Sequence, residues 1–226
     1  MRRLLAALAV PFALAAIPSA AGARVIEVGQ EQTTATPSCP TKPCLAVSRT
    51  TGYQAKVGTD RGLMEVPAKG RIVAWTISLG KPGTKQISFF DSKLGGTAQA
   101  GIVVMKPGAR LFRRVMGVSP IVHLQPYFGS TVQFPLATSI PVEKGWVVGL
   151  SVPTWAPALA VGLGGDTSWR ASRAKGKCDD TQTQTAQLEV NSLSQFYCLY
   201  RTARLTYTAT LVTAPVPSNP PPKKKR

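Results

Sequence analysis

The chain is predicted to be all-β, an antiparallel two-sheet sandwich of jelly-roll-like build with a polar leader before it and a polar tail after it. Three observations carry that expectation. Short apolar runs recur from about Leu45 to Val212, separated by Gly and Pro turns. Several of these runs alternate apolar and polar residues with period two, as a half-buried strand does. No window beyond residue 23 carries a sustained i, i+3, i+4, i+7 apolar stripe with caps, so no helix is expected.

Residues 1–23 read as an export signal. Met1-Arg2-Arg3 is a short positive start, and Leu4 to Ile17 is a nearly unbroken apolar run. Pro18 ends it, and Ala21-Gly22-Ala23 supplies small residues for cleavage after Ala23. The run is shorter than the roughly 20 residues a spanning helix needs, so no transmembrane segment is expected in the mature chain. Residues 24–44, rich in Thr, Ser and Pro, read as an extended leader held by a local disulfide loop. The sandwich is expected over 45–213.

Within it, Val73, Trp75, Ile77 and Leu79 are expected on one face, with Ile72, Ala74, Thr76 and Ser78 on the other. Ala203, Leu205, Tyr207, Ala209 and Leu211 alternate against Arg204, Thr206, Thr208 and Thr210 as one strand. Further strands are expected at Ile87–Phe90, Ile102–Lys106, Leu111–Val115, Val132–Phe134, Trp146–Val152, Ala158–Leu163, Ser168–Ser172, Ala186–Val190 and Gln195–Arg201. Residues 214–226 form a Pro-rich, polybasic tail expected to be disordered. Its Pro-Pro-Lys-Lys-Lys-Arg ending looks like a nuclear import signal, which an exported chain has no use for.

Export also fixes how the cysteines are read. Cys39, Cys44, Cys178 and Cys198 make an even set, and the local pairings Cys39–Cys44 and Cys178–Cys198 are preferred over the other two connectivities. The spacing fits no zinc pattern and the single histidine, His123, is remote, so neither metal nor cofactor is expected. The formal charge is +17, from 27 basic and 10 acidic residues. A surface that basic attracts polyanions at long range and loses the attraction in salt. For an exported or envelope-associated protein the fitting partners are an anionic cell-envelope polymer or a polysaccharide, not a specific nucleic acid.

Catalytic patterns are weak. The acidic residues form no paired array on a strand of the kind glycoside hydrolysis uses. His123, Asp166 and Ser168 follow a hydrolase-like order, but Gly164-Gly165-Asp166-Thr167-Ser168 is no nucleophile elbow. Gly162-Leu163-Gly164-Gly165 precedes a strand rather than a helix and reads as a tight turn, not a phosphate loop. His123 and Tyr127 permit a lyase-like acid/base pair on an acidic polysaccharide, with basic residues neutralising the sugar acid. The non-catalytic alternative uses rings and charges. Trp155, between Pro153 and Pro157, and Tyr127 with Phe128, between Pro126 and Gly129, read as loop aromatics able to stack on a sugar. Arg110, Arg113, Arg114, Arg170, Arg173 and Lys175 would supply the charge. Trp75 and Trp146 sit in apolar strands and are expected in the core.

Three segments carry a resemblance: Val66-Pro67-Ala68-Lys69-Gly70-Arg71-Ile72-Val73-Ala74-Trp75, Ile102-Val103-Val104-Met105-Lys106-Pro107, and Ile140 to Leu150, which reads Ile-Pro-Val-Glu-Lys-Gly-Trp-Val-Val-Gly-Leu. They resemble units of secreted, uncharacterised β-sandwich proteins of actinobacteria, with Trp146 where an Asp is common. The resemblance implies a jelly-roll-like fold and no activity. The function expected is therefore a secreted, non-catalytic binder of an anionic or carbohydrate polymer. The alternatives are a polysaccharide-active enzyme using His123 and Tyr127, and a purely structural exported protein.

Overall fold

A computed structural model describes residues 22–30 and 35–215. Most of the expected signal segment and of the polybasic tail lies outside these residues. The strands are β1 (Val25–Val28), β2 (Val47–Lys56), β3 (Gly70–Ser78), β4 (Gln99–Pro107), β5 (Phe112–Val118), β6 (Val122–His123) and β7 (Thr131–Val142). They continue with β8 (Val147–Ala156), β9 (Leu159–Val161), β10 (Ser168–Ala171), β11 (Leu193–Gln195), β12 (Cys198–Arg201), β13 (Ala203–Leu205) and β14 (Tyr207–Thr213). The small sheet has the order β1-β14-β3-β7; the large one runs β11-β5-β4-β8-β2-β10-β12, with β6 added to β4 and a separate β13-β9 ribbon beside it. Every pairing between these strands is antiparallel. The chain crosses between the sheets repeatedly, so the predicted sandwich is the fold.

One core joins the sheets. Trp75, Ile77, Ala209 and Leu211 of the small sheet are buried in the same cluster as Ile102, Val104, Val148 and Leu150 of the large one. Tyr207 spans the two layers, its hydroxyl donating to the carbonyl of Val148 at 2.9 Å. Complete burial pushes that phenol far above its ordinary pKa, so it stays neutral.

Several local expectations need correction. Pairing slips between Ile72 and Ala74, so a bulge resets the alternation. Ile72, not Val73, shares full burial with Trp75 and Ile77. The 203–211 alternation is not one strand: it breaks at Thr206, with β13 pairing β9 and β14 pairing β3 and β1. The sandwich begins earlier than 45, because β1 pairs with β14 at the sheet edge. Ile87–Phe90 is not a strand but part of helix α1 (Thr84–Lys93). Its Ile87, Phe90 and Leu94 fall at i, i+3 and i+7, which turns them together against the core. Gln86 Oε1 accepts the Gly83 N–H at 2.7 Å and satisfies one amide of the first turn. Ala186–Val190 forms no strand, for its polar groups are used singly, as by the Gln187 N–H donating to Thr51 Oγ1. Trp146 is only half-buried and lies before β8 begins. Gly145 takes φ 82°, a left-handed conformation that favours glycine, whereas Gly70 is needed because an added Cβ would stand 2.2 Å from the Val212 carbonyl oxygen.

Both preferred disulfides are formed, Cys39–Cys44 and Cys178–Cys198, and no described cysteine is free. No helix among the described residues is long and apolar enough to cross a membrane.

The large sheet curls strongly on itself. Its outermost strands, β11 and β12, are joined only by Phe196 and Tyr197. Three residue steps reach at most roughly 11 Å, so the two edges must lie side by side. The face inside the curl carries Thr51, Tyr53, Met105, Val115 and Gly149, and Phe196 plugs it, fully buried against Tyr53.

Candidate functional site

The curl brings cations together at one end. Arg113 on β5 and Arg170 on β10 line, with Tyr53, Gln54, Arg61, Glu65 and Val147, a cavity of about 100 Å³. Pairing places the side chains there: Arg170 lies opposite Tyr53 across β10 and β2. Arg113 reaches the same tyrosine from the far side of the curl, Nη2 donating to Tyr53 Oη at 3.0 Å with the guanidinium 5.3 Å from the ring centre. Arg170 Nη1 donates to the carbonyls of Phe196 and Tyr197, at 3.2 and 2.9 Å, and so ties the seam where the sheet edges meet.

The arginines at this mouth form no ion pair among the described residues. The ion pairs of the described residues are Lys69–Glu143 and Lys177–Asp180, and neither touches the cavity. Glu65 lines the cavity yet pairs with none of its arginines. Arg113 Nε and Gln54 Oε1 are buried and make no hydrogen bond. Just outside, Lys106 and Arg114 face each other across β4 and β5, both exposed. Like charges directly opposite repel, which disfavours that pairing until an anion bridges them. Arg110 is exposed in the turn between these strands, and its backbone sits at φ 51°.

The expected site residues divide sharply. Arg113 and Arg170 meet at the mouth, Arg114 follows Arg113 on β5, and Arg110 lies in the turn before that strand. Lys175 is exposed in the segment after β10. Arg173 is corrected: it is 5% exposed and donates to the carbonyls of Ser48 and Cys178 and to Tyr200 Oη, which leaves it unable to reach a surface polymer. Trp155 is also corrected. It is fully buried in β8, not held out on a loop, with its indole N–H donating to Asp91 Oδ1 and the Gly96 carbonyl, each at 2.9 Å. Its ring packs on Phe90 and Phe128, because α1 closes over this end of the sandwich. Phe128 is half-buried, while Tyr127 is exposed and set edge-on to Phe134 at 5.1 Å.

His123 lies with the aromatic group, not with the arginines. It pairs with Gln99 at one end of β4, and Lys106, seven residues along, pairs with Arg114. That places about 23 Å between them at ordinary strand rise. His123 is exposed and its Nδ1 is 3.4 Å from Thr97 Oγ1; it lines neither the arginine cavity nor the larger cleft described below. A base at His123 would therefore be out of reach of the arginines at the mouth. Asp166 is exposed and Ser168 buried. Among the described residues no group of three His, Cys, Asp or Glu side chains is placed to hold a metal ion.

Tyr53, Gln54 and Arg61 are the residues that sequence reading misses. Arg61 lies in the segment after β2, and Tyr53 and Gln54 lie on β2 itself, which shows no apolar alternation because both of its faces are covered. Its Thr51 is buried and bonded to Ser151 Oγ at 2.7 Å, so a polar residue fills a core position. The available signal is the β-branched and aromatic run Thr50-Thr51-Gly52-Tyr53. Comparison with protein-family models, curated proteins and solved structures finds no match, so the site rests on its own chemistry.

Proposed function

We propose that the protein is an exported, non-catalytic binder of an anionic polymer, which lies across the arginine mouth of the curled sheet. The observation that carries this reading is the convergence of Arg61, Arg113 and Arg170 on one cavity with no carboxylate paired to any of them. Guanidinium groups hold phosphate, sulfate or carboxylate oxygens through two parallel N–H bonds, which suits a charged repeat unit. Lys106 and Arg114, on the opposite face of the strands that carry Arg113, and Arg110 in the turn between them add further exposed positive charge. Export is supported by the two disulfides and by the N-terminal sequence pattern. Between an anionic and a neutral carbohydrate ligand, the burial of Trp155 favours the anionic one, since the ring expected to stack on sugar is inside the core.

The test is retention of the protein on immobilised polygalacturonate and on polyphosphate across a sodium chloride series. Binding should weaken steadily with salt, as released counterions require. An Arg61→Gln/Arg170→Gln double variant should elute at lower salt with an unchanged circular dichroism spectrum. No retention of the unaltered protein at low salt, or equal retention of the double variant, rules the reading out.

A further inference from the structure

A second cavity lies elsewhere: a cleft of about 480 Å³ between the edge strand β12, the β9–β13 ribbon and the chain entering β2. Its walls are mainly aliphatic, with Leu45, Leu159, Val161 and Leu199 among them, and Trp169 stacked on Tyr200 at 4.6 Å forms part of the lining. A cavity of this size, apolar with a few fixed polar groups, is typical of a small-molecule site.

Both charged residues of the lining, Arg173 and Arg201, are cations. Arg173 lines the cleft, is almost wholly buried, and takes part in no ion pair of the described residues. Its Nη atoms are engaged by carbonyls and by Tyr200, but its Nε–H has no partner, and neither does the indole N–H of Trp169. Two idle donors and a buried positive charge in an apolar wall call for an acceptor carrying negative charge. A second cation, Arg201, stands exposed in the lining. The walls are also held rigid. Cys44 precedes Leu45 on one side, Cys198 precedes Leu199 on the other, and both cysteines are disulfide-bonded. A preformed cleft lowers the ordering cost of binding.

We infer that this cleft binds a small amphipathic carboxylate: an aliphatic body along Leu45, Leu159, Val161 and Leu199, with its acid group at Arg173 and Arg201. The site is separate from the arginine mouth, and the inference stands whether or not that mouth binds a polymer.

The full chain is titrated with ω-bromoundecanoate and with ω-bromoundecanol, reading both tryptophan quenching and calorimetric heat. The carboxylate should quench and bind at least about tenfold more tightly than the alcohol. Ala46→Phe, which fills the cleft, should abolish binding of both. Arg201→Glu, at an exposed position that folding does not need, should weaken the carboxylate alone by about tenfold or more. Trp169→Phe, which removes one of the idle donors, should lose most of the quenching and weaken the carboxylate more than the alcohol in the calorimetric titration. Retention of the chain on polyphosphate should be unchanged in Ala46→Phe, which separates the two sites. Equal affinity for acid and alcohol, no binding of either, or an Arg201→Glu variant that binds the acid like the unaltered chain overturns the inference.

Discussion

The two ends of the curled sheet use different kinds of residue to opposite effect. At one end Trp155, Phe90 and Phe128 are packed under α1, and the indole N–H has two acceptors. At the other, Arg113 and Arg170 are half-buried and form no ion pair among the described residues, and Arg113 Nε is idle. The ends are about 26 Å apart, as β8 runs eight residues from Val147 at the mouth to Trp155. A satisfied, buried group stabilises the fold; an unsatisfied one at a cavity is available to a ligand. The contrast between the ends is therefore a division between stability and binding.

The sharpest way to break that division is Trp155→Ala, which leaves a cavity and two unpaired acceptors. It should cost about 3–5 kcal/mol in urea unfolding while the folded fraction keeps its polyanion affinity. Loss of polyanion binding by protein that remains folded would dissolve the distinction. Replacing Cys178 and Cys198 together by Ser opens the loop of 20 residues at the seam and should cost about 3 kcal/mol by the same measurement. The reverse case is Arg61→Gln/Arg170→Gln, where loss of the Arg170 bonds to the Phe196 and Tyr197 carbonyls should cost about 1–3 kcal/mol. Its log–log salt dependence of polyanion binding should become shallower by roughly two contacts. Tyr127→Ala removes one edge-on ring pair and should cost about 0.5–1.5 kcal/mol, with no change in binding.

The smallest effect belongs to Asp180, whose pKa is held at about 2 by hydrogen bonds from the Thr183 hydroxyl and amide. The folded value lies below the ordinary 3.8, so this contribution is present at neutral pH and is lost as pH falls through about 2. An NMR titration should show the Thr183 amide shifting in that range, and Asp180→Asn should abolish the shift.

The parts of the fold that sequence reveals are those where one face of a strand is buried and the other is not. The run from Ile72 to Leu79 is recognisable as a strand, and only the bulge at Val73 misplaces its first residues. Where both faces are covered the period vanishes, which hides β2 and with it Tyr53. Ile87-Ser88-Phe89-Phe90 has strand-like composition, and a ten-residue helix gives too few turns to show its own period. The curl is hidden for another reason. It depends on the segment from Arg173 to Leu193, whose Gln, Thr, Lys and Asp residues hold position through single hydrogen bonds and a disulfide rather than through an apolar pattern. Arg113 and Arg170 were readable as cations, but their meeting was not, since 57 positions separate them in the chain.

A sheet that closes nearly onto itself also governs how the molecule behaves toward its own copies. Strand edges with free N–H and C=O groups recruit other strands and seed aggregates. Here β11 and β12 turn their edges toward one another across a two-residue link, and Arg170 occupies the carbonyls of that link. The long outer strand of the small sheet, β7, carries Pro135 and Pro141, each lacking an N–H to offer. The four-residue β1 and the two-residue β6 are the short open edges that remain among the described strands of the two sheets. The same seam that gathers the arginines thus keeps a strand-rich protein from templating its neighbours.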